Sequence, residues 1–223
     1  MLQGENLTLT FEDGDQTLDA VNDVSIAIQD HQFIGILGPS GSGKSSLLYL
    51  LSGLRKPTGG QIYLDGRAYG KMSDRERVAL RRSEFGFVFQ QHFLITYLTV
   101  LENVMVAAPA QDKAHAAQAR ALLADLGMGD KLHRFPYELS GGERQRVATA
   151  RAMIHRPRLI FADVDPCLQV PPSPYPVEYR LEGIVHGLQL GHGQVVGQQP
   201  ARQITVEIHG MIGTRHHPSF LVD

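Results

Sequence analysis

The chain has 223 residues, of which 43% are hydrophobic and 20% charged, with a formal net charge of −2. That length can bury a substantial core and predicts one domain with a subdomain rather than two independent units. The near-neutral balance argues against a nucleic-acid footprint or a polybasic membrane patch, and the single cysteine, Cys167, excludes an internal disulfide and makes a reducing cytosolic setting the default.

The opening stretch, MLQGENLTLTF, has no basic segment followed by an apolar core, so no signal peptide is expected. No apolar run approaches the roughly 20 residues that span a bilayer. LTLTF (7–11) and VSIAI (24–28) alternate apolar with polar residues between turn formers, which predicts two strands of an antiparallel sheet. FIGILG (33–38) is a short continuous apolar run, the pattern of a buried parallel strand. The helix-spaced segment SSLLYLLSGL (45–54) comes next, then a KPTGG turn, then a strand QIYLDG (61–66) ending in an Asp-Gly turn. Ser73 with Glu76, and Thr99 with Glu102, have the spacing of capping boxes that open helices. FGFVFQ (85–90) is a further apolar strand. Residues 112–126 form an alanine-rich amphipathic helix stopped by Gly127, and LIFAD (159–163) is a buried strand with an acid at its tip. The helical stretch between strands ending at 90 and 163 predicts a separate helical subdomain.

Two stretches carry chemistry. Residues 38–46 read GPSGSGKSS, filling G-x-x-x-x-G-K-[ST] with Gly38, Gly43, Lys44 and Ser45. Gly38, Gly41 and Gly43 let the backbone aim its N–H groups inward at phosphate oxygens. Lys44 adds a point charge near the outer phosphates, and the Ser45 hydroxyl can ligate Mg²⁺. Strand, loop and helix in that order set the helix N-terminus against the phosphates. LSGGERQR (139–146) is the second stretch. Ser140 caps a helix, Glu143 closes the box, and Gly141 and Gly142 allow close backbone approach, which makes a second phosphate-binding surface.

GPSGSGKSS, FGFVFQQ, LSGGERQRVATARA and RPRLIFAD, in this order and spacing, resemble the ATP-binding subunit of an ABC transporter over about residues 1–163. The flavour of ERQRVA is similar to ATPases of lipoprotein-releasing and macrolide-type exporters. The resemblance implies an α/β fold: a P-loop NTPase core with a mostly parallel sheet flanked by helices, an N-terminal antiparallel β subdomain, and a helical subdomain at about 91–156. Phe11 would stack on adenine, with a core phenylalanine on a strand as the competing reading. Gly38, Pro39, Ser40, Gly41, Ser42, Gly43, Lys44, Ser45 and Ser46 would cradle the phosphates of ATP. Ser45, Gln90 and Asp163 would hold Mg²⁺, which favours hard oxygen ligands. Leu139, Ser140, Gly141, Gly142 and Glu143 would meet the ATP of the opposite protomer in a homodimer or heterodimer. The further partner implied is a transmembrane permease, with this subunit cytoplasmic and peripheral on the inner face of the plasma membrane; no nucleic-acid partner is expected.

The chain departs from the family after Asp163. Where the family carries a glutamate that polarises the attacking water, this sequence has Val164, which can neither accept a proton nor orient water. Asp165 is shorter and, on an extended chain, points to the opposite face. Beyond Asp163 there is no lysine, Ala201 is the only alanine, and seven of the 12 prolines and five of the 10 histidines are found. The family's later histidine is missing from its usual spacing; His209 lies too far along the chain. His186, His192, His216 and His217 match no metal-ligand spacing. Residues 164–223 therefore read as a frame disruption or a divergent end. Three readings remain at this point: a transport ATPase, a subunit that binds ATP but hydrolyses little, and a non-functional product. A DNA-repair ATPase of the same class would need a long heptad-bearing insertion that this chain lacks.

Overall fold

The computed structural model describes residues 1–14, 16–30 and 32–163, together with the backbone of 205–210. The expectations for Val164, Asp165, Cys167 and the histidines at 186, 192, 216 and 217 lie outside these residues.

In chain order, β1 (Leu2–Asp13) and β2 (Gln16–Ile28) form a hairpin, followed by β3 (Gln32–Leu37) and α1 (Lys44–Leu51). Then come β4 (Gly59–Leu64), β5 (Arg67–Ala68), α2 (Asp74–Glu84) and β6 (Phe85–Val88). Helices α3 (Val100–Met105), α4 (Lys113–Asp125) and α5 (Gly141–Met153) precede β7 (Leu159–Ala162), and β8 (Thr205–Gly210) is the last described element.

The alternation read in the first strands has the consequence expected of a sheet with one wet face. Leu7 and Leu9 of β1 and Val21, Val24 and Ile26 of β2 are buried, while residues between them face out. β4 joins the other edge of β1, giving an antiparallel sheet in the order β2-β1-β4-β5. Its inner face packs on Leu47, Leu50 and Leu51 of α1, and Phe85 and Phe161 complete that core. A second core joins the helices: Val104 of α3, Leu123 of α4 and Val147 of α5 are each fully buried in it.

Each of α2, α3 and α5 begins with a reciprocal capping box, at Ser73/Glu76, Thr99/Glu102 and Ser140/Glu143. These are the three boxes the spacing predicts. Asp112 caps α4 by accepting a 2.8 Å hydrogen bond from the His115 backbone N–H.

β6 and β7 pair in parallel, Phe85 opposite Leu159 through Val88 opposite Ala162. A Cβ at Gly86 would lie 2.5 Å from the Ala152 carbonyl oxygen, so the C-terminal end of α5 reaches this strand only because position 86 has no side chain. β3 is a strand, as its apolar run predicts, but it is half-buried and its described partner is β8, which runs antiparallel with Gln32 opposite Gly210 and Leu37 opposite Thr205. An apolar run marks an internal strand whichever way its neighbour runs; direction is fixed by connections far along the chain. Residues 205–210, which alternate in sequence, supply that neighbour.

Candidate functional site

The 38–46 loop connects β3 to α1, and two of its glycines are in the left-handed region, Gly41 at φ 76° and Gly43 at φ 92°. Neither conformation suits a residue with a Cβ. Gly43 occupies the N-cap position of α1, and α1 has no side-chain cap, unlike α2 to α5. Its first N–H groups are thus left to whatever lies before the helix. The Lys44 ammonium turns back over the loop and donates to the carbonyl oxygens of Gly38 (2.9 Å) and Pro39 (2.8 Å). Ser42 is only 3% exposed, and its hydroxyl has no hydrogen-bond partner among the described residues. An orphaned buried hydroxyl, an uncapped helix end and a cation fit a phosphate chain. Pro39, Ser40 and Gly41 are exposed at the mouth of the loop, and Ser46 lies half-buried in the first turn of α1.

The loop meets the tip of β7 at a carboxylate. Ser45 Oγ donates to Asp163 Oδ1 at 3.0 Å, across 118 positions of sequence. The Asp163 backbone N–H donates to the Val88 carbonyl at 2.8 Å, which extends the parallel ladder and fixes the acid just beyond the strand. A second hydroxyl, Tyr49 OH, donates to Asp163 Oδ2 at 3.2 Å. Burial, and then the neighbouring Asp163 carboxylate, push the Tyr49 phenol above its ordinary value. Sequence reasoning passed over Tyr49; the available signal was its place four residues after Ser45 on one helix, the spacing that puts both side chains on one face. A serine hydroxyl beside a carboxylate is a hard oxygen donor set of the kind that takes Mg²⁺. Gln90 is exposed two residues past the end of β6, and no described hydrogen bond joins it to Ser45 or Asp163.

Phe11 is near the end of β1, opposite Leu18, and is 36% exposed. The Arg55 guanidinium carbon stands 4.7 Å from its ring centroid, so one face already carries a cation–π contact. It is thus neither a core phenylalanine nor an aromatic with both faces free.

At the second motif, Ser140 Oγ accepts from the Glu143 N–H (3.3 Å), and Glu143 Oε2 accepts from the Ser140 N–H (2.7 Å). The other Glu143 oxygen pairs with the Lys131 ammonium. That ion pair, and after it the Ser140 N–H, draw the Glu143 carboxyl down to about 2. A Cβ at Gly141 would meet nothing within 4 Å among the described residues, so none of them covers the N-terminus of α5 at that position. Leu139, by contrast, is buried in the helical core. Arg144, on the next turn, donates to the Leu139 carbonyl at 3.0 Å. The loop after Gln90 is held at both ends. Arg151 of α5 donates to the carbonyls of His92 (2.6 Å) and Phe93 (2.7 Å), and the buried Asn103 exchanges hydrogen bonds with the backbone of Ile95 (2.7 and 3.0 Å). Among the described residues no group of three or more histidine, cysteine, aspartate or glutamate side chains is placed to hold a metal, and no helix is long and apolar enough to cross a membrane.

Residues 21–166 match the family model described as ABC transporter. A lipoprotein-releasing system ATP-binding protein of Aquifex aeolicus is 49% identical over 143 residues, covering 63% of this chain and 64% of that protein. An uncharacterized ABC transporter ATP-binding protein of Methanocaldococcus jannaschii is 42% identical over 166 residues, covering 73% and 74%. Among solved structures, a dimeric bacterial ABC transporter cassette superposes with a TM-score of 0.68 at 36% identity over 72% of each chain. The same cassette in a post-hydrolysis state, bound to ADP and Pi, gives 0.65.

Proposed function

Since the chain belongs to the ABC transporter family, as the ATP-binding subunit of a transporter, we propose that it closes with a second ATP-binding subunit around ATP and drives export through a membrane permease, while hydrolysing ATP slowly. The carrying observation is the junction where the Ser45 hydroxyl meets the Asp163 carboxylate at the mouth of the glycine loop. It joins the two motifs that must act on one nucleotide.

In this reading residues 1–163 are the ATP-binding domain, with the helical portion at about 91–156, and 164–223 are a divergent segment. The loop amides of 38–46 and the Lys44 ammonium bind the phosphates, and Lys44 exchanges the carbonyls of Gly38 and Pro39 for phosphate oxygens. Ser45, Asp163 and Gln90 hold Mg²⁺, which when bound neutralises charge building up on the phosphates. Ser140, Gly141 and Gly142, at the N-terminal end of α5, cover the nucleotide of the opposite protomer. Support for the pairing comes from the dimeric form of the solved cassette. Support for export comes from the lipoprotein-releasing relatives, and a permease partner would hold the subunit on the cytoplasmic face of the membrane. Slow turnover follows from Val164, because preorganised donors still stabilise the transition state but nothing at that position activates water.

Nucleotide binding and phosphate release are compared for the native chain, Val164→Glu and Lys44→Ala. Native and Val164→Glu proteins are expected to bind ATP alike, with phosphate release at least tenfold faster in Val164→Glu. Lys44→Ala should weaken binding itself. Brisk release by the native chain that Lys44→Ala abolishes would refute slow hydrolysis and leave the transport role standing.

A further inference from the structure

Tyr49 has no part in the chemistry above, yet it stands on the helix that opens with Lys44 and Ser45, and its hydroxyl reaches the carboxylate of the other motif. It projects from the same face of α1 as Ser45, one turn on. Between them the two hydroxyls hold both oxygens of one carboxylate: Ser45 Oγ is 3.0 Å from Asp163 Oδ1, and Tyr49 OH is 3.2 Å from Oδ2. The Tyr49 ring packs edge-on against Phe89, with centroids 6.4 Å apart, and Phe89 stacks on Phe87 of β6 at 5.8 Å. Phe89 is also the residue immediately before Gln90.

The two donors differ in what else is asked of them. When a serine hydroxyl ligates a cation, its lone pair turns to the ion, and its hold on a neighbouring carboxylate changes with it. A phenol at the end of a rigid ring wedged against another ring has no such second task. A phenol, with an ordinary pKa of about 10, is a donor at neutral pH. Outer-shell donors of this kind set the orientation of carboxylates at metal sites.

We propose that Tyr49 is a positioning residue for the divalent cation: its hydroxyl grips Asp163 Oδ2, so that the carboxylate keeps its other oxygen towards Ser45 and the metal. This rests on the reading of Ser45 and Asp163 as the metal-holding pair. Nothing in the motifs marks position 49, because the role exists only where α1 passes the tip of β7.

The test uses Tyr49→Phe, which keeps the ring on Phe89 and removes one oxygen. Mn²⁺ is titrated into the full chain with ATP and followed by the loss of its free-ion paramagnetic resonance signal; ATP affinity is measured separately in a chelator. Tyr49→Phe should raise the Mn²⁺ concentration for half-saturation about tenfold, the lower end for an outer-shell partner. Its metal-free ATP affinity should match the native chain. An unchanged Mn²⁺ requirement would overturn the proposal, as would an equal loss in both measurements, which marks a merely structural role. Asp163→Asn is run in parallel. If it leaves Mn²⁺ binding intact, the metal reading of Asp163 fails, and the role of Tyr49 fails with it. If it weakens Mn²⁺ binding while Tyr49→Phe does not, only the role of Tyr49 is lost.

Discussion

Glu143 combines two duties in one side chain, closing the capping box of α5 and pairing with Lys131. Its carboxyl is drawn from an ordinary 4.5 to about 2, first by Lys131 and then by the Ser140 N–H. A depressed carboxyl favours the native state while ionised. Its contribution is complete above the unfolded value near 4.5 and is lost as pH falls through about 2. Glu143→Gln keeps a capping side chain but does not titrate. Thermal melting of the two proteins across that window should show the native chain losing stability relative to the variant as acid is added. Curves that stay parallel would contradict this. The box itself was legible from the S-x-x-E spacing, because a cap is decided within four residues. Lys131 was not, since 12 positions and a change of direction separate it from its partner.

Among the elements, β6 shows how closely the two cores are tied. Gly86 sits where the α5 terminus leans on the strand, with the Ala152 carbonyl 2.5 Å from the place a methyl would take and Pro157 Cγ at 3.0 Å. Gly86→Ala should cost about 1–3 kcal/mol through overpacking, measured by denaturant unfolding. A cost near zero would mean that α5 can back away from the sheet. The strands and capped helices were legible because their periods and caps are local properties. What was not legible in β3 was the direction and identity of its neighbour, since Phe33 to Leu37 would read the same beside a strand of either polarity. Tyr49 belongs to the same class of omission. The helix that bears it was expected, but its meeting with Asp163 spans 114 positions.

Over the whole molecule, Arg158 fastens the sheets together just ahead of β7. Its guanidinium pairs with both Asp65, in the β4–β5 turn, and Asp30, after β2; the same two acids receive the N-terminal amine at 2.9 and 3.2 Å. Arg158 holds the Asp65 carboxyl well below the usual carboxylate range. The groups are substantially exposed, so Arg158→Met should cost no more than about 1 kcal/mol. That cost should shrink in concentrated salt, as melting at low and high ionic strength would reveal. A large loss indifferent to salt would point to packing by the arginine stem instead. The Arg151 clasp has a larger reach. Phe93 is 62% exposed and held at φ 45°, a backbone posture that an aromatic residue adopts only under constraint. The guanidinium that holds its carbonyl stands eleven residues on from Ser140, near the end of the helix that Ser140 caps. Whatever displaces that helix must carry the outward ring with it, because the two are joined through the Phe93 carbonyl.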